Sequence, residues 1–256
     1  MNSPEFFARR ALITGGGGGI GLELALALAE RGAQVHVADH DQNALLAASA
    51  IHANISAHSV DFADSAQIAA WIGGLAPDGI DILVNNVGIS GAVAPIEALA
   101  AADWDRVLRI NLDAAFHCIR AAAGALKARR GVILNISSAA AKAKPPDRVA
   151  YVVSKLGLEG LTLVAAQELG PAGVRVNAVR PGLVENPRWR DLVKRKAEQS
   201  GRTADELIAE TLQQISLRRV VSQSEVVDLC LFLVSERAGA ISGQIIGVDG
   251  HVLIGP

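Results

Sequence analysis

The sequence predicts an α/β domain: a doubly wound parallel sheet of about seven strands with helices on both faces. Three observations carry that expectation. Strand-like patterns recur seven times and helical patterns separate them, the alternation that builds parallel sheets. The first strand runs directly into a glycine block at 15–19 that opens a helix. The chain has 256 residues, half of them apolar and a fifth charged, enough for one large core.

In chain order, residues 11–14 read as a short apolar strand and 20–31 as a helix. Leu22, Leu24, Leu26 and Leu28 make that helix too apolar for an exposed position, so it lies on the sheet. Residues 34–39 alternate as a strand ending in Asp39, which completes a βαβ unit. Helix and strand then alternate: helix 42–52, strand 55–60, helix 65–72, buried strand 81–86, long helix 103–129 and strand 131–137. Helix 151–169, strand 174–179, helix 224–235 and strand 244–250 follow. One stretch breaks the rhythm, with two helical segments at 188–199 and 204–215 and no strand between Pro181 and Ser224. Thr203 and Glu206 form a capping-box start for the second. Residues 183–219 are therefore expected to be a helical lid inserted into a single domain spanning 1–256.

Composition excludes several classes. A formal charge of −2 does not suit a nucleic-acid phosphate binder. Apolar runs such as 24–29 and 229–234 fall short of the ~18–20 residues of a membrane span. MNSPEFFARR has no apolar leader segment, so no secretion is expected. Two cysteines, Cys118 and Cys230, without a CxxC pattern point to a reduced, cytoplasmic compartment. Histidines 36, 40, 52, 58, 117 and 251 show no ligand clustering, and no metal is expected. His36 and His40 are four apart on a strand and its exit, so they do not converge. Arg188, Arg190, Lys194, Arg195 and Lys196, balanced by Asp191, Glu198, Asp205 and Glu206, read as a solvated helix face.

The glycine loop Thr14-Gly15-Gly16-Gly17-Gly18-Gly19-Ile20-Gly21 sits between strand and helix, where a pyrophosphate can approach free N–H groups at a helix start. Asp39, at the tip of the second strand, can accept hydrogen bonds from a ribose 2′-hydroxyl and repels a 2′-phosphate. No Arg or Lys stands in the loop, so NAD(H) is favoured over NADP(H). Capping of the next helix is the competing role for Asp39, and Asp41 can serve that purpose instead. Asp61, at the third strand end, could meet an adenine amino group. Asn85 and Asn86 end the fourth strand, with Gly88 beyond.

Tyr151 is the only tyrosine, and Lys155 lies one helical turn later on the same face. A tyrosine titrates near pH ~10 unaided, and a neighbouring ammonium favours its phenolate. Ser138, thirteen residues before Tyr151 at a strand end, could polarise a carbonyl that Tyr151 protonates. Asn111 is a poor helix former inside a long helix, which suggests a functional reason. Lys142, Lys144 and Arg148 lie between Ser138 and Tyr151, and one of them, Arg148 first, is a candidate for an anionic substrate group.

Together these residues resemble the short-chain dehydrogenase/reductase family over nearly the whole chain. TGGGGGIG matches its TGxxxGxG loop, NNVG its NNAG motif and YVVSK its YxxxK motif; Pro181-Gly182 matches its PG motif, and Ser138 keeps the family's spacing to the tyrosine. The resemblance implies a Rossmann-like fold and a catalytic tetrad of Asn111, Ser138, Tyr151 and Lys155. Tyr151 would be the acid/base. Lys155 would hold the nicotinamide ribose and acidify the phenol, Ser138 would orient the substrate, and Asn111 would support a proton-relaying water. A cofactor wall is implied from Thr14, Gly15, Gly19, Ile20, Gly21, Asp39, Asp61 and Phe62, continued by Asn85, Asn86, Gly88, Tyr151, Lys155, Pro181, Gly182 and Val184. Segments 89–97, 139–149 and 183–215 would line the substrate pocket. Three departures stand out: Asn186 where threonine is frequent, Val87 for alanine, and His251 for glycine. The implied activity is reversible, NAD(H)-dependent, metal-free oxidation of a secondary alcohol to a ketone by a homotetramer, with a small-molecule substrate and no nucleic-acid or membrane partner. The alternatives are a 3-oxoacyl-thioester reductase and a non-catalytic dinucleotide-binding regulatory module.

Overall fold

A computed structural model of the chain describes residues 5–253. Residues 1–4, part of the stretch read above for a leader, and 254–256, the end of the expected domain, lie outside the described residues. Seven parallel strands form one sheet: β1 (Arg10–Thr14), β2 (Gln34–Asp39), β3 (Ile55–Ser59), β4 (Ile82–Asn85), β5 (Val132–Ile136), β6 (Arg175–Pro181) and β7 (Ile245–Val248). Their order is β3-β2-β1-β4-β5-β6-β7. The connections therefore reverse direction between β1 and β4, and a crevice opens there beyond the carboxyl ends of the strands. The central strands β4 and β5 are buried along their whole length, which explains their largely apolar sequence, with Asn85 and Asn135 the exceptions.

Helices α1 (Gly19–Glu30), α2 (Gln42–Ile51) and α10 (Gln223–Val234) supply Leu24, Leu28, Leu45, Val227 and Leu231 to the core on one face. On the other face, α3 (Ser65–Leu75), α5 (Ala114–Arg129) and α7 (Val149–Leu169) supply Ile68, Ile72, Cys118, Leu126 and Leu169. Asp41 caps α2, taking N–H groups from Asn43 and Ala44, so Asp39 is free of that duty. Helix α3 runs three residues past its expected end. Nothing crowds Gly73 or Gly74, and the Asp64 cap holds the start.

The expected single helix 103–129 is instead α4 (Ala101–Leu108), a five-residue π-helical segment (Arg109–Asp113) and α5. The Ala114 N–H reaches the Arg109 carbonyl, five residues back. A short helix, α6 (Ala140–Ala143), precedes α7. The stretch Val149–Ala172, which contains α7, is long and apolar enough to cross a membrane, contrary to the short runs counted above. It packs on β6 and buries Lys155 and Glu159, as a core helix does.

The insertion contains α8 (Pro187–Ser200) and α9 (Ala204–Gln213), with the Thr203/Glu206 capping box formed. Its base is tied down where Val184 bridges Val221 in parallel and Ile215 bridges Val252 antiparallel. Of the basic cluster, the described Arg190, Lys194 and Arg195 are exposed, while the Arg188 and Lys196 side chains lie outside the described residues.

Candidate active site

The ends of β1 and β4 are stapled together at the crevice. The buried Thr14 hydroxyl accepts the N–H groups of Asn86 and Val87, each at 3.0 Å. Asn86 Nδ2 donates back to the Thr14 and Gly15 carbonyls at 3.1 and 2.9 Å. This closeness requires glycine at position 15, where φ is +64° and a Cβ would stand 2.9 Å from the Val87 Cα. At Gly21 a Cβ would come within 2.4 Å of the Gly15 carbonyl oxygen. Gly18 precedes α1 with no side-chain cap and open space beside it. The first-turn N–H groups of α1 are thus left for an anion. Asp39 Oδ2 accepts the Gly17 N–H at 3.1 Å, which sets a carboxylate against the loop. A dinucleotide fits these features: a glycine cradle, an uncapped helix start and a carboxylate at the next strand tip.

Two of the expected cofactor residues turn elsewhere. Asn85 is buried and donates to Asn135 Oδ1 at 2.8 Å, and Asn135 in turn donates to Thr162, so Asn85 braces the sheet instead of lining the crevice. Phe62 is buried edge-on against Trp71, so its side chain packs in the core. Asp61 is exposed beyond β3 and accepts the Ala63 N–H.

The chemical end lies across a cleft of about 420 Å³. Asn86, Gly88, Ser138, Tyr151, Lys155, Pro181, Gly182, Val184 and Asn186 all line it, together with Ile20 and Arg148. Tyr151 and Lys155, one turn apart on α7, put Nζ 5.9 Å from the ring centroid. Lys155 is only 4% exposed, and burial pushes its ammonium down to about 8. Nζ donates to the Ile136 carbonyl at 2.8 Å. The partly buried Ser138 accepts the Ala140 N–H at 3.1 Å and turns the chain into α6.

Asn111 falls inside the π-helical segment and is 1% exposed. Its amide accepts the Ile89 N–H at 2.8 Å and donates to the Ile89 carbonyl at 2.9 Å. It also donates to Ser154 Oγ at 3.1 Å, and that hydroxyl donates to the Tyr151 carbonyl at 2.7 Å. The loop after β4 is thereby tied to the turn bearing Tyr151. Sequence reasoning missed Ser154 in this role. The only signal was a small polar residue facing inward on an apolar helix.

A family model described as enoyl-(acyl carrier protein) reductase matches residues 16–251. D-beta-hydroxybutyrate dehydrogenase of Rhizobium meliloti (strain 1021) is 34% identical over 197 residues, 75% of this chain and 76% of its own length. The 3-oxoacyl-(acyl-carrier-protein) reductase of Staphylococcus aureus (strain Mu50) is 34% identical over 252 residues, covering 94% and 97%. A solved NAD+-bound xylitol dehydrogenase superposes with a TM-score of 0.88 at 30% identity, over 96% of this chain and 99% of that one. The chain belongs to the short-chain dehydrogenase/reductase family.

Two of the three departures of this short-chain dehydrogenase/reductase, Asn186 and His251, have physical readings. Asn186 caps α8: its Oδ1 accepts the Trp189 N–H at 2.8 Å and its Nδ2 donates to the Val184 carbonyl at 3.2 Å. His251 has φ +62°, a conformation that suits glycine, and its N–H is held by Asp249 Oδ1 at 2.9 Å. Of the three candidate anion contacts, Arg148 lines the cleft, whereas Lys144 is exposed and donates to the Lys142 carbonyl.

Proposed function

We propose that this short-chain dehydrogenase/reductase interconverts a secondary alcohol and a ketone with NAD(H). The observation that carries the reading is Tyr151 in the cleft wall with the buried Lys155 ammonium beside it. The glycine loop, the α1 start, Ile20 and Gly88 would hold the dinucleotide, with Asp39 at its ribose and Pro181–Gly182 and Val184 at the nicotinamide end. The bound nicotinamide supplies the hydride acceptor or donor. In the reducing direction Tyr151 gives its proton to the carbonyl oxygen, and Ser138 hydrogen-bonds that oxygen. In the oxidising direction Tyr151 takes the hydroxyl proton. The positive charge of Lys155 stabilises negative charge developing on the phenol oxygen. Asn111 holds the loop and the turn that frame the two residues, and water beside it is the proposed route for protons to Lys155. Residues 183–219 form the substrate lid. Exposed apolar residues on α5 and α7, among them Phe116, Leu163 and Val164, support assembly as a homotetramer. Cys118 and Cys230, free and buried, suit a cytoplasmic setting.

Tyr151→Phe should lower kcat by about 10²–10⁴-fold in coupled assays on a panel of secondary alcohols while NADH binding survives. Substantial residual turnover overturns the role. Asp39 should favour NADH over NADPH by about tenfold or more in kcat/KM, since a like charge faces the 2′-phosphate. Equal use of the two would remove the NAD assignment. It would favour a 3-oxoacyl-thioester reductase, the reading that the Staphylococcus relative supports. Tight NADH binding with no turnover across the panel would point instead to a regulatory module.

A further inference from the structure

The cleft beside Tyr151 carries positive charge without a negative counterpart. Among its described lining residues are Arg148 and Lys155, and no Asp or Glu. Lys155 is committed to the Ile136 carbonyl. Arg148 is not. Its Cζ lies over the Tyr151 ring, 4.8 Å from the centroid. One Nη makes a long 3.4 Å contact with the Ser90 carbonyl, and Nε is enclosed without a hydrogen-bond partner. A guanidinium offers five N–H donors, so most of its capacity is unused here.

The position is also built in advance. Arg148 is the first residue before α7, at the end of a loop in which Lys144 and Asp147 both take left-handed backbone, φ +50° and +62°. Such conformations persist where the surroundings enforce them. Pro145 and Pro146 stiffen the segment between them, and the Asp147 carbonyl accepts the Ala94 N–H at 3.0 Å. The loop holds a cation against the ring of the acid/base before any substrate arrives, which spares ordering entropy on binding.

We propose that Arg148 is the receptor for a carboxylate on the substrate, so that the enzyme acts on short hydroxy acids and oxo acids. This rests on the alcohol/ketone reading above. With guanidinium and phenol in contact, a carboxylate can pair with the first while its hydroxyl-bearing carbon meets the second only if few bonds separate them. Acids with the oxygen at carbon 2 or 3 satisfy that spacing. Neutral ketones and polyols leave the guanidinium unpaired.

The test compares kcat/KM with NADH for 2-oxobutanoate, 3-oxobutanoate and their methyl esters in the wild type, Arg148→Lys and Arg148→Gln. Calorimetry of malonate binding to the enzyme–NADH complex gives a readout without turnover. The wild type should prefer at least one acid over its ester by about tenfold or more, the scale of one charge-assisted pair. Arg148→Gln should lose that preference, chiefly through KM, and Arg148→Lys should keep part of it. Malonate affinity should fall in parallel. Equal losses for acid and ester, or a wild type indifferent to the charge, overturn the receptor and leave the redox reading standing. If no ketone turns over but malonate binding still depends on Arg148, the receptor stands and the redox reading falls. Malonate binding that is indifferent to Arg148 overturns the receptor in either case.

Discussion

At the scale of the residue, Lys155 shows what burial does to a cation in the cleft wall. The helix carries it beneath the cleft floor, and loss of water drives its ammonium down to about 8. The group is positive below that pH and neutral above it. The support proposed above for charge on the Tyr151 oxygen therefore disappears as pH rises through about 8. kcat/KM for ketone reduction, followed from about pH 6 to 10, should show a falling limb there, and Lys155→Met should abolish the limb along with most of the rate. A limb that survives in Lys155→Met belongs to another group. The identity of Tyr151, Lys155 and Ser138 was legible from spacing, since i,i+4 on a helix and a strand-end serine fix which side chains can meet. The charge state of Lys155 was not, because it depends on enclosure by residues distant in sequence.

At the scale of the element, α7 is joined to β6 by a partly buried ion pair. Arg180 Nε and Nη2 donate to the two Glu159 carboxylate oxygens at 2.5 Å each, and Ser137 Oγ donates to the same carboxylate at 2.7 Å. Glu159 follows Lys155 by one turn, and Arg180 immediately precedes Pro181–Gly182, so the pair spans the two elements that frame the cleft. Glu159→Leu should destabilise the fold by about 1.5–3 kcal/mol, because the partly exposed Arg180 then loses its charge-assisted hydrogen bonds. The double variant Glu159→Leu/Arg180→Met should recover most of the loss in urea unfolding. Failure to recover would mean that shape, and not charge pairing, holds the elements. The sequence signal was present, a carboxylate on the inward face of an apolar helix, but its partner lay 21 residues away. The π-helical segment was less accessible still. Asn111 stood out as a misfit in a helix, yet only the contacts to Ile89 and Ser154 explain why one extra residue is accommodated there.

At the scale of the whole molecule, acid lability should arise at the β2–β3 edge of the sheet. His36 and His58 approach across the strands, Nδ1 to Nε2 at 3.1 Å, and His58 packs near Trp71. Burial, then the nearby His58 and Arg10, pulls His36 down to about 4, with Asp78 acting weakly the other way; burial also lowers His58. Above the ordinary value of 6.5 neither state takes up a proton at these groups. Between 6.5 and about 4 the unfolded chain binds protons that the folded chain refuses, so stability falls as pH falls through that window. The midpoint of thermal unfolding should drop over this range, and the slope should flatten in His36→Asn/His58→Gln. An unchanged slope in that variant would assign the dependence to carboxylates. Along the chain His36 was compared only with His40, with which it does not converge; the sheet brings it to His58, because neighbouring strands, not neighbouring residues, share a face.

The sequence by itself determined the alternation of strands and helices, the place of the glycine loop and the shared face of Tyr151 and Lys155, because periodicity and local spacing need only the backbone geometry of single elements. Tertiary structure alone decided that Asn85 braces the sheet while Asn86 meets the loop, that Glu159 answers Arg180, and that Arg148 and not Lys144 enters the cleft. Those outcomes depend on which strand lies beside which and on how much water each charge retains. Neither quantity exists until the sheet is assembled.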